Sequence, residues 1–223
     1  MSAPGRLVTF EGPEGAGKST VMRRVAQRLR EAGRAVVETR EPGGTPSGER
    51  VREILLQRTG AGLRPAAEAL LFGAARAELV GLVIRPALAN GCLVLCDRFT
   101  DSTLAYQGYG RGLDLAALRT LNDFATGGLA PDRTLLLDLD VAHGLRRRHA
   151  EGGALTRPDA EGVAFHERVA AGYRALAAAE ADRWRTIDAG APLDAVEAAV
   201  WAAIAALEVE DAPAAAGQRR AAP

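Results

Sequence analysis

The sequence predicts an α/β fold with three layers, in which helices cover both faces of a five-stranded parallel sheet. Five short runs rich in Val, Leu and Ile alternate with longer stretches of helical spacing, a pattern typical of parallel sheets. The first run leads directly into a glycine-rich loop. With 223 residues, 48% of them hydrophobic, the chain can form one domain with a full core, which we place at 1–207.

The elements follow in order along the chain. Strands are expected at 7–10, 35–39, 93–96, 134–139 and 185–188, where the apolar runs occur. Helices are expected at 18–32, 47–57, 65–90, 114–125, 141–150, 158–182 and 192–207. Gly152, Gly153 and Pro158 interrupt the helical pattern, so we predict a mobile lid at about 142–159. The Ala/Pro-rich residues 208–223 predict a disordered tail.

The overall charge excludes some partners. There are 28 basic and 28 acidic residues, and this balance argues against broad binding to nucleic acid or to a membrane surface.

The first apolar run has only four residues, and no run of roughly 18 apolar residues follows, so neither a signal peptide nor a membrane span is expected. Cys92 and Cys96 do not indicate a disulfide framework or a zinc site. We therefore expect a soluble, cytoplasmic protein.

The glycine-rich loop matches the phosphate-binding pattern G-x-x-x-x-G-K-[ST] between a predicted strand and a predicted helix. Its backbone N–H groups and the helix N-terminus suit phosphate oxygens. Lys18 is the only lysine in the chain and is predicted to reach the β- and γ-phosphates, while the Ser19 hydroxyl helps to hold Mg²⁺. The predicted nucleotide-binding residues are Gly12, Pro13, Glu14, Gly15, Ala16, Gly17, Lys18, Ser19 and Thr20.

Three further segments carry a family resemblance. Residues 39–45 are Thr-Arg-Glu-Pro-Gly-Gly-Thr, 71–76 are Leu-Phe-Gly-Ala-Ala-Arg, and 97–108 are Asp-Arg-Phe-Thr-Asp-Ser-Thr-Leu-Ala-Tyr-Gln-Gly. With Phe-Glu-Gly at 10–12, they closely resemble the bacterial thymidylate kinase family, and the resemblance runs from about residue 7 to residue 207. It implies a P-loop kinase fold, the small-molecule substrates ATP and dTMP, Mg²⁺ as cofactor, and a homodimer.

The acceptor site is predicted partly from the residues themselves. Phe72 and Arg76 are four apart on a predicted helix, so a ring that stacks on a base and a guanidinium that meets a pyrimidine carbonyl share one face. The alternative is that Phe72 belongs to the core. Asp97 and Arg98 follow the strand at 93–96, and ligands bind at the carboxyl ends of such strands. Arg98, and Arg40 at the end of the second strand, are predicted to grip the acceptor phosphate.

The resemblance assigns further roles. It implies that Arg98 contacts the monophosphate, that Gln107 meets the thymine edge, and that Tyr106 lies against the sugar. Ser102 is expected nearby. Glu11 belongs to the matched Phe-Glu-Gly segment and is included among the substrate-binding residues.

Several roles stay open between a ligand contact and a plainer alternative. Asp101 and Thr103 either contact the ligand or cap a helix. Glu14 either holds water or substrate, or is simply an exposed loop carboxylate. Residues 186–192 either lie near the adenine or form a strand-to-helix loop capped by Asp188.

The lid is expected to supply charge to the reaction. The variable positions of the phosphate loop contain no arginine, so a transition-state cation has to come from elsewhere. Arg157 is the first choice for this cation. The arginine run at 146–148 precedes the lid, and the alternative is that this run is simply a solvated helix face. Arg147 is expected to lie against the adenine. Thr156 and Pro158 depart from the usual family pattern around this arginine.

No catalytic base is expected, because a phosphate monoester with a second pKa near ~6 is already an ionised nucleophile at neutral pH. Asp97 is therefore interpreted as a Mg²⁺-water ligand. The nearest rival function is the same chemistry on AMP, CMP or shikimate. A rival from another class is a nucleotide-dependent switch without an acceptor. A GTP switch would need the guanine-reading motif Asn-Lys-x-Asp, and this motif is absent because the one lysine, Lys18, lies in the phosphate loop.

Overall fold

Five parallel strands form the central sheet of the computed structural model, which describes residues 5–57, 62–150 and 156–210. They are β1 (Arg6–Glu11), β2 (Val36–Arg40), β3 (Leu93–Asp97), β4 (Arg133–Asp138) and β5 (Trp184–Asp188). The strand order is β2-β3-β1-β4-β5. Each predicted strand is confirmed, with both of its ends within one residue of the prediction. The agreement is close because strands buried on both faces appear in the sequence as apolar runs.

The register brings the strand ends together at one edge of the sheet. Phe10 of β1 and Arg40 of β2 both pair with Asp97 of β3. On the other side of β1, Glu11 pairs with Leu136 of β4. The order steps outward from β1 in both directions, so the edge beyond the ends of β1 and β3 is the expected ligand crevice.

The helices lie on both faces of the sheet. They are α1 (Lys18–Glu31), α2 (Pro46–Leu56), α3 (Pro65–Leu79), α4 (Arg85–Ala89), α5 (Thr100–Thr103), α6 (Leu115–Thr126), α7 (Val141–Ala150), α8 (Val163–Ala179) and α9 (Leu193–Glu210). A π-helical segment, Val80–Ile84, joins α3 to α4 without a break, which confirms the long helix predicted at 65–90.

Two predicted helices differ from the structure. The helix predicted at 158–182 is divided into a 3₁₀ turn, Pro158–Ala160, and α8, which begins after Gly162. Helix α9 continues to Glu210, so the first three residues of the predicted disordered tail are helical. The rest of that tail, 211–223, lies outside the described residues, as do Gly152 and Gly153 of the predicted hinge.

One helical stretch was not predicted. Helix α5 continues as the π-helical segment Leu104–Gly110, so residues 100–110 form an unbroken helical stretch after β3. Gly108 and Gly110 lower its intrinsic helix propensity. Tertiary packing outweighs this, because Leu104, Ala105 and Tyr106 are buried in one cluster with residues of α8. Such π-helical turns occur frequently at functional sites.

The apolar core is divided by the sheet. On one face, α1 and α9 cover Val8, Phe10 and Leu135. On the other face, side chains of α3, α6 and α8 surround Leu136, and a third cluster around Leu7 includes the buried Cys96. Among the described residues, no helix is both long and apolar enough to cross a bilayer.

Candidate active site

A cleft of about 370 Å³ opens at the carboxyl edge of the sheet. Its walls come from the phosphate loop, the ends of β2 and β3, helices α2, α3 and α7, the 100–110 stretch, and the turn at 156–160. Among the described residues, seven cations line it, namely Lys18, Arg23, Arg40, Arg52, Arg76, Arg98 and Arg148. Four acids also line it: Glu14, Glu41, Asp97 and Asp159. A chain of zero net charge thus concentrates positive charge here, which suits an anionic ligand.

The phosphate loop has the predicted position between β1 and α1. Gly12, Gly15 and Gly17 all have positive φ, a conformation that glycine adopts readily. The Lys18 ammonium donates to the carbonyl oxygens of Gly12 and Pro13 at 3.0 and 2.8 Å. Glu14, Gly15, Gly17, Lys18, Ser19 and Thr20 line the cleft, whereas Ala16 is buried in the core below the loop.

The surroundings of Lys18 make its charge dependent on a nearby anion. Burial, together with the Arg98 guanidinium, lowers the Lys18 pKa to about 8, although Glu14 and Asp97 act in the opposite direction. A phosphate group close to this ammonium would favour the charged form. The lysine is therefore set up to gain from an incoming phosphate chain.

The loop also contacts the helix that leads to the lid. A Cβ added to Gly15 would lie 2.0 Å from the carbonyl oxygen of Gly144, and one added to Gly144 would lie 2.2 Å from the carbonyl oxygen of Glu14. Two glycines thus allow α7 to approach the loop backbone directly. This contact places Arg147 and Arg148 of α7 near the phosphate site.

Ser19 and Asp97 provide adjacent oxygen donors. The Ser19 hydroxyl donates to the Asp97 carboxylate, and both side chains line the cleft next to Lys18. A hydroxyl and a carboxylate are the hard ligands that Mg²⁺ prefers. The chemistry of this pair therefore fits the predicted metal site.

Arg98 is held by groups from three parts of the chain. Its guanidinium donates to Glu14 Oε1 at 2.8 Å, and to the Gly12 carbonyl and the Tyr173 hydroxyl, each at 3.1 Å. It also lies 5.0 Å from the centre of the Tyr106 ring. Its φ of 71° is in the left-handed region, which is uncommon for a residue other than glycine. This backbone turn aims the side chain back toward the phosphate loop.

Glu14 is not an exposed carboxylate. It accepts hydrogen bonds from Arg98 and, at 2.8 Å, from the Tyr106 hydroxyl. Burial raises the Glu14 pKa, but the Arg98 guanidinium and the Lys18 ammonium outweigh it and hold the pKa at about 2. The group is therefore ionised at neutral pH and lies within the cleft, between the phosphate loop and Tyr106.

Glu11 lies behind the wall of the cleft. Its carboxylate is fully buried and accepts from the Phe99 amide at 2.8 Å, the Ser102 hydroxyl at 2.6 Å and the Tyr173 hydroxyl at 2.9 Å. Burial, and then the nearby Asp101 carboxylate, raise its pKa to about 7. The structure thus corrects the expectation of direct substrate contact, because protein donors surround this carboxylate and hold the 99–102 turn.

Phe72 and Arg76 both line the cleft, as their spacing predicts. Phe72 is half-buried and outside the core clusters, which excludes the alternative that it is a core residue. Arg76 is only 1% exposed and its charge is balanced by Glu41, which accepts from Nη2 at 2.6 Å. Asn122 Oδ1 accepts from Arg76 Nη1 at 2.6 Å.

Four other predicted residues of the acceptor site line the same cleft: Arg40, Ser102, Tyr106 and Gln107. Arg40 Nη2 pairs with Glu49 at 2.9 Å at the outer end of the cleft. Gln107 is buried and donates through Nε2 to Glu68 at 2.6 Å. The side chains expected to bind base, sugar and phosphate are therefore next to one another.

The lid arginines occupy different places. Arg148 lines the cleft, and its guanidinium donates to both oxygens of Asp159, at 3.3 and 3.1 Å. Arg157 pairs instead with Glu68 and does not line the cleft. Of the described lid arginines, Arg148 is therefore the one that lines the cleft, and Arg157 would have to leave Glu68 to reach it.

The residues assigned to the adenine lie next to one another. Arg147 Nη1 donates to the Ala189 carbonyl at 3.1 Å, so it contacts the 186–192 loop that was assigned to the same ligand. Asp188 Oδ1 accepts from the Gly190 amide at 2.8 Å, which fits its alternative role in holding this loop.

Neither Asp101 nor Thr103 caps the helix that begins at Thr100, and Thr103 lines the cleft. Asp101 forms a buried ion pair with Arg183 at 2.8 Å, and Thr103 accepts from Arg76 at 3.1 Å. Both are therefore internal supports of the site.

Sequence reasoning missed several residues of the site. Arg52 lies in the cleft and donates to the Pro42 carbonyl at 2.8 Å, and Glu41 holds Arg76. Tyr173, from α8, reaches Arg98 across the sheet edge. Glu41 lies in the 39–45 segment directly after Arg40, so its position next to a predicted ligand residue could have indicated it. Nothing local in the sequence marks Tyr173, because its contact with Arg98 joins residues 75 positions apart. Arg52 lies ten positions from Pro42, but it is outside the segments that carry the family resemblance.

Comparisons with known proteins agree with this geometry. The family model for thymidylate kinase matches residues 10–200. A thymidylate kinase of Thermomicrobium roseum is 58% identical over 198 residues, which cover 89% of this chain and 93% of that protein. A thymidylate kinase of Solidesulfovibrio magneticus is 53% identical over 207 residues, covering 90% and 99%.

A solved structure shows the same fold. The crystal structure of a thymidylate kinase from Ehrlichia chaffeensis matches with a TM-score of 0.68 and 36% sequence identity, over 83% of this chain and 93% of that chain. The similarity thus covers both the sheet and the elements that form the cleft.

Proposed function

Because the chain belongs to the thymidylate kinase family, we propose that its cleft transfers the γ-phosphoryl group of ATP to dTMP, giving dTDP and ADP. This reaction is a step toward dTTP and is expected in the cytoplasm. The observation that carries the assignment to this cleft is that Lys18 and Arg98 line one cavity together with Phe72 and Gln107. A donor phosphate chain and an acceptor nucleotide can therefore meet in it.

The donor phosphates are assigned to the phosphate loop. The N–H groups of the loop and the N-terminus of α1 provide donors, and the Lys18 ammonium exchanges its two carbonyl acceptors for β- and γ-phosphate oxygens. Arg147 and the 186–192 loop, which contact each other, bind the adenine side. Gly12, Pro13 and Ala16 contribute through the backbone of the loop.

The acceptor nucleotide is assigned to the other half of the cleft. Phe72 stacks on the base, and Arg76 and Gln107 meet its edge. Arg98 and Arg40 bind the monophosphate, which competes with Glu14 and Glu49 for their guanidinium groups. Glu14, with Tyr106, then faces the sugar, and Ser102 supports Arg98 from behind.

The chemistry needs no proton acceptor. The acceptor phosphate is ionised at neutral pH, so an oxygen of dTMP attacks the γ-phosphorus directly while ADP leaves. Lys18 and Arg98 neutralise the charge that accumulates between the two phosphate groups. Catalysis by this chain is therefore mainly alignment and charge neutralisation.

Mg²⁺ is proposed as the cofactor, held by the Ser19 hydroxyl and by Asp97, the latter through water. Bound there, the ion would neutralise phosphate oxygens of ATP. The hydrogen bond between these two side chains supports the proposal, because two oxygen atoms of the kind that Mg²⁺ prefers lie next to each other at the phosphate loop.

The lid is proposed to bring an arginine to the transferring group. Arg148 is favoured by its place in the cleft. Arg157 stays a prediction for this role, and it requires a rearrangement that breaks the ion pair with Glu68. Comparing kcat of the two alanine variants would show which arginine acts in the transition state.

A coupled assay of ADP release tests the function. The protein is mixed with Mg-ATP and, separately, with dTMP, AMP, CMP or shikimate. We expect dTMP to raise ADP release well above the blank and above every other acceptor. A switch protein would show no increase with any acceptor, and a preference for another acceptor would overturn the assignment.

Phe72→Ala is expected to raise the KM for dTMP by roughly 5- to 150-fold, since stacking of a base on an aromatic ring contributes ~1–3 kcal/mol. The KM for ATP should stay close to the wild-type value, because Phe72 lies on the acceptor side. Steady-state kinetics with each substrate varied in turn gives both constants. An unchanged dTMP KM would remove Phe72 from the base site.

We also propose a homodimer that forms through α3 and α6. These neighbouring helices, with the π-helical segment that continues α3, carry apolar side chains that no described residue covers: Leu70 is 60%, Leu82 62% and Phe124 88% exposed. Ala74 and Ala77 continue the stripe at helical spacing from Leu70. Exposed large apolar side chains on neighbouring helices are typical of a protein interface, and a second copy of the chain is the partner that the family resemblance implies.

Phe124→Asp is expected to convert the dimer into a monomer at micromolar concentration, because it puts a charge in place of the most exposed apolar side chain of the proposed interface. Sedimentation velocity measures the change. Val163→Asp is the matched control, since Val163 is 52% exposed but lies at the start of α8. Identical sedimentation of the wild type and Phe124→Asp would contradict this interface.

A further inference from the structure

Glu68 on α3 is a buried carboxylate that the proposed mechanism does not use. Only 4% of the residue is exposed, and its two oxygens serve different groups. Oε1 accepts from Gln107 Nε2 at 2.6 Å. Oε2 accepts from Arg157, and Arg111 Nη2 lies 3.5 Å away. One acid thus joins the predicted base-reading glutamine to the turn that follows the lid.

The two arginines matter because they offset the cost of burying a charge. A buried carboxylate is stable when cations and hydrogen-bond donors surround it. Arg157 pairs with Glu68 directly, and Arg111 is itself anchored by Glu161 at 2.6 Å. Both oxygens of Glu68 therefore face donors, and each acts as a hydrogen-bond acceptor.

An acceptor at this position determines the orientation of the Gln107 amide. Because Glu68 Oε1 accepts from Gln107 Nε2, the NH₂ group of Gln107 faces the carboxylate, and the amide oxygen is left as the atom available to a base. On the same wall of the cleft, Arg76 Nη1 has one N–H beyond the one it donates to Asn122. The wall therefore offers one acceptor and one donor.

This pair is complementary to thymine and mismatched with cytosine. Thymine presents a ring N3–H donor beside a carbonyl acceptor, whereas cytosine presents a ring nitrogen acceptor beside an amino donor. We propose that Glu68 is a positioning residue for base specificity: it holds Gln107 so that the site accepts thymine and rejects cytosine. The inference rests on the proposed function, because it assumes that the base binds between Phe72 and Gln107.

The first test compares Glu68→Gln with the wild type on dTMP and dCMP. A glutamine can donate as well as accept, so the amide of Gln107 is free to turn. We expect the ratio of kcat/KM for dTMP to that for dCMP to fall by about tenfold or more. Glu78→Gln is the matched control, since Glu78 is an exposed acid on the same helix, and it should keep the wild-type ratio.

A second pair of variants starts from residue 107, so its single variant keeps the carboxylate that pairs with Arg157. Gln107→Glu would oppose two carboxylates, so kcat/KM for dTMP should fall by at least ~tenfold. Adding Glu68→Gln restores a donor facing an acceptor, and the double variant should recover most of the loss. If residue 68 did not orient residue 107, Gln107→Glu would still offer an acceptor to thymine, and the double variant would be no better than the single one.

The outcomes separate this inference from the proposed function. If the wild type does not phosphorylate dTMP, the function itself fails. If it does so, but Glu68→Gln keeps the wild-type ratio, the positioning role is overturned. Should Glu68→Gln not fold, Gln107→Glu decides the matter alone: wild-type kinetics overturn the role, and a loss with dTMP supports it.

Discussion

Lys18→Ala is expected to lower kcat/KM for ATP by at least about 10²–10³-fold, with the fold retained. The reason is that this ammonium lies in the phosphate loop, where it donates to the Gly12 and Pro13 carbonyls and lines the cleft. Phosphoryl transfer depends on charges placed in advance, so the lost donor cannot be replaced by water. Steady-state kinetics measures the effect, and circular dichroism verifies the fold.

Lys18→Arg is the informative control, because it keeps the charge. The chain uses arginine at 27 of its 28 basic positions, yet lysine stands here. A planar guanidinium does not fit where a compact ammonium contacts two carbonyl groups. We expect this variant to lose most of the activity as well. Near-normal turnover would mean that charge alone is needed.

The same lysine gives ATP binding a pH dependence. Burial and Arg98 lower the Lys18 pKa to about 8 in the free protein. A bound phosphate chain favours the ammonium, so binding takes up a proton above that pH and the KM for ATP rises between pH 8 and 10. Calorimetry at pH 8.5 in two buffers of different ionisation enthalpy measures the proton uptake. Lys18→Ala should abolish it.

Arg98→Ala is expected to lower kcat/KM for dTMP by about 10²–10³-fold. Arg98 is assigned to the acceptor phosphate, and its removal also frees Glu14 to repel that phosphate. The KM for ATP should change much less. Kinetics with dTMP varied at saturating ATP gives the value, and a loss that is equal for both substrates would contradict the acceptor assignment.

Arg98→Gly separates this chemistry from folding. Arg98 has a φ of 71°, a conformation that costs a residue with a Cβ about 1–2 kcal/mol and costs glycine little. Both variants lose the guanidinium and should be equally inactive. The glycine variant should nevertheless have the higher free energy of unfolding in chemical denaturation. Equal stability would mean that the left-handed turn is not strained.

The strands and the phosphate loop could be predicted because their determinants are local. An apolar run of four to six residues defines each strand, and eight consecutive residues define the loop between β1 and α1. The helix at 100–110 could not, since Gly108 and Gly110 disfavour it locally and burial against α8 stabilises it. The contacts that stabilise this helix come from residues more than fifty positions away.

Local patterns likewise predict only part of the acceptor site. The spacing of Phe72 and Arg76 correctly predicts that both line the cleft. The ion pair of Arg98 with Glu14 joins residues 84 positions apart, and that of Arg76 with Glu41 joins residues 35 apart. No local pattern indicates such pairs. The sequence therefore identifies which side chains the site uses, whereas their partners, and the burial of Glu11 behind them, follow only from the fold.

Transfer of a label from γ-labelled ATP is the most direct measurement of the central assignment. The wild-type chain is incubated with Mg-ATP and dTMP, and the nucleotides are separated. The arrangement of Lys18 and Arg98 in one cleft predicts that the label appears in dTDP, with little inorganic phosphate. Label released only as inorganic phosphate, at a rate that dTMP does not change, would contradict it.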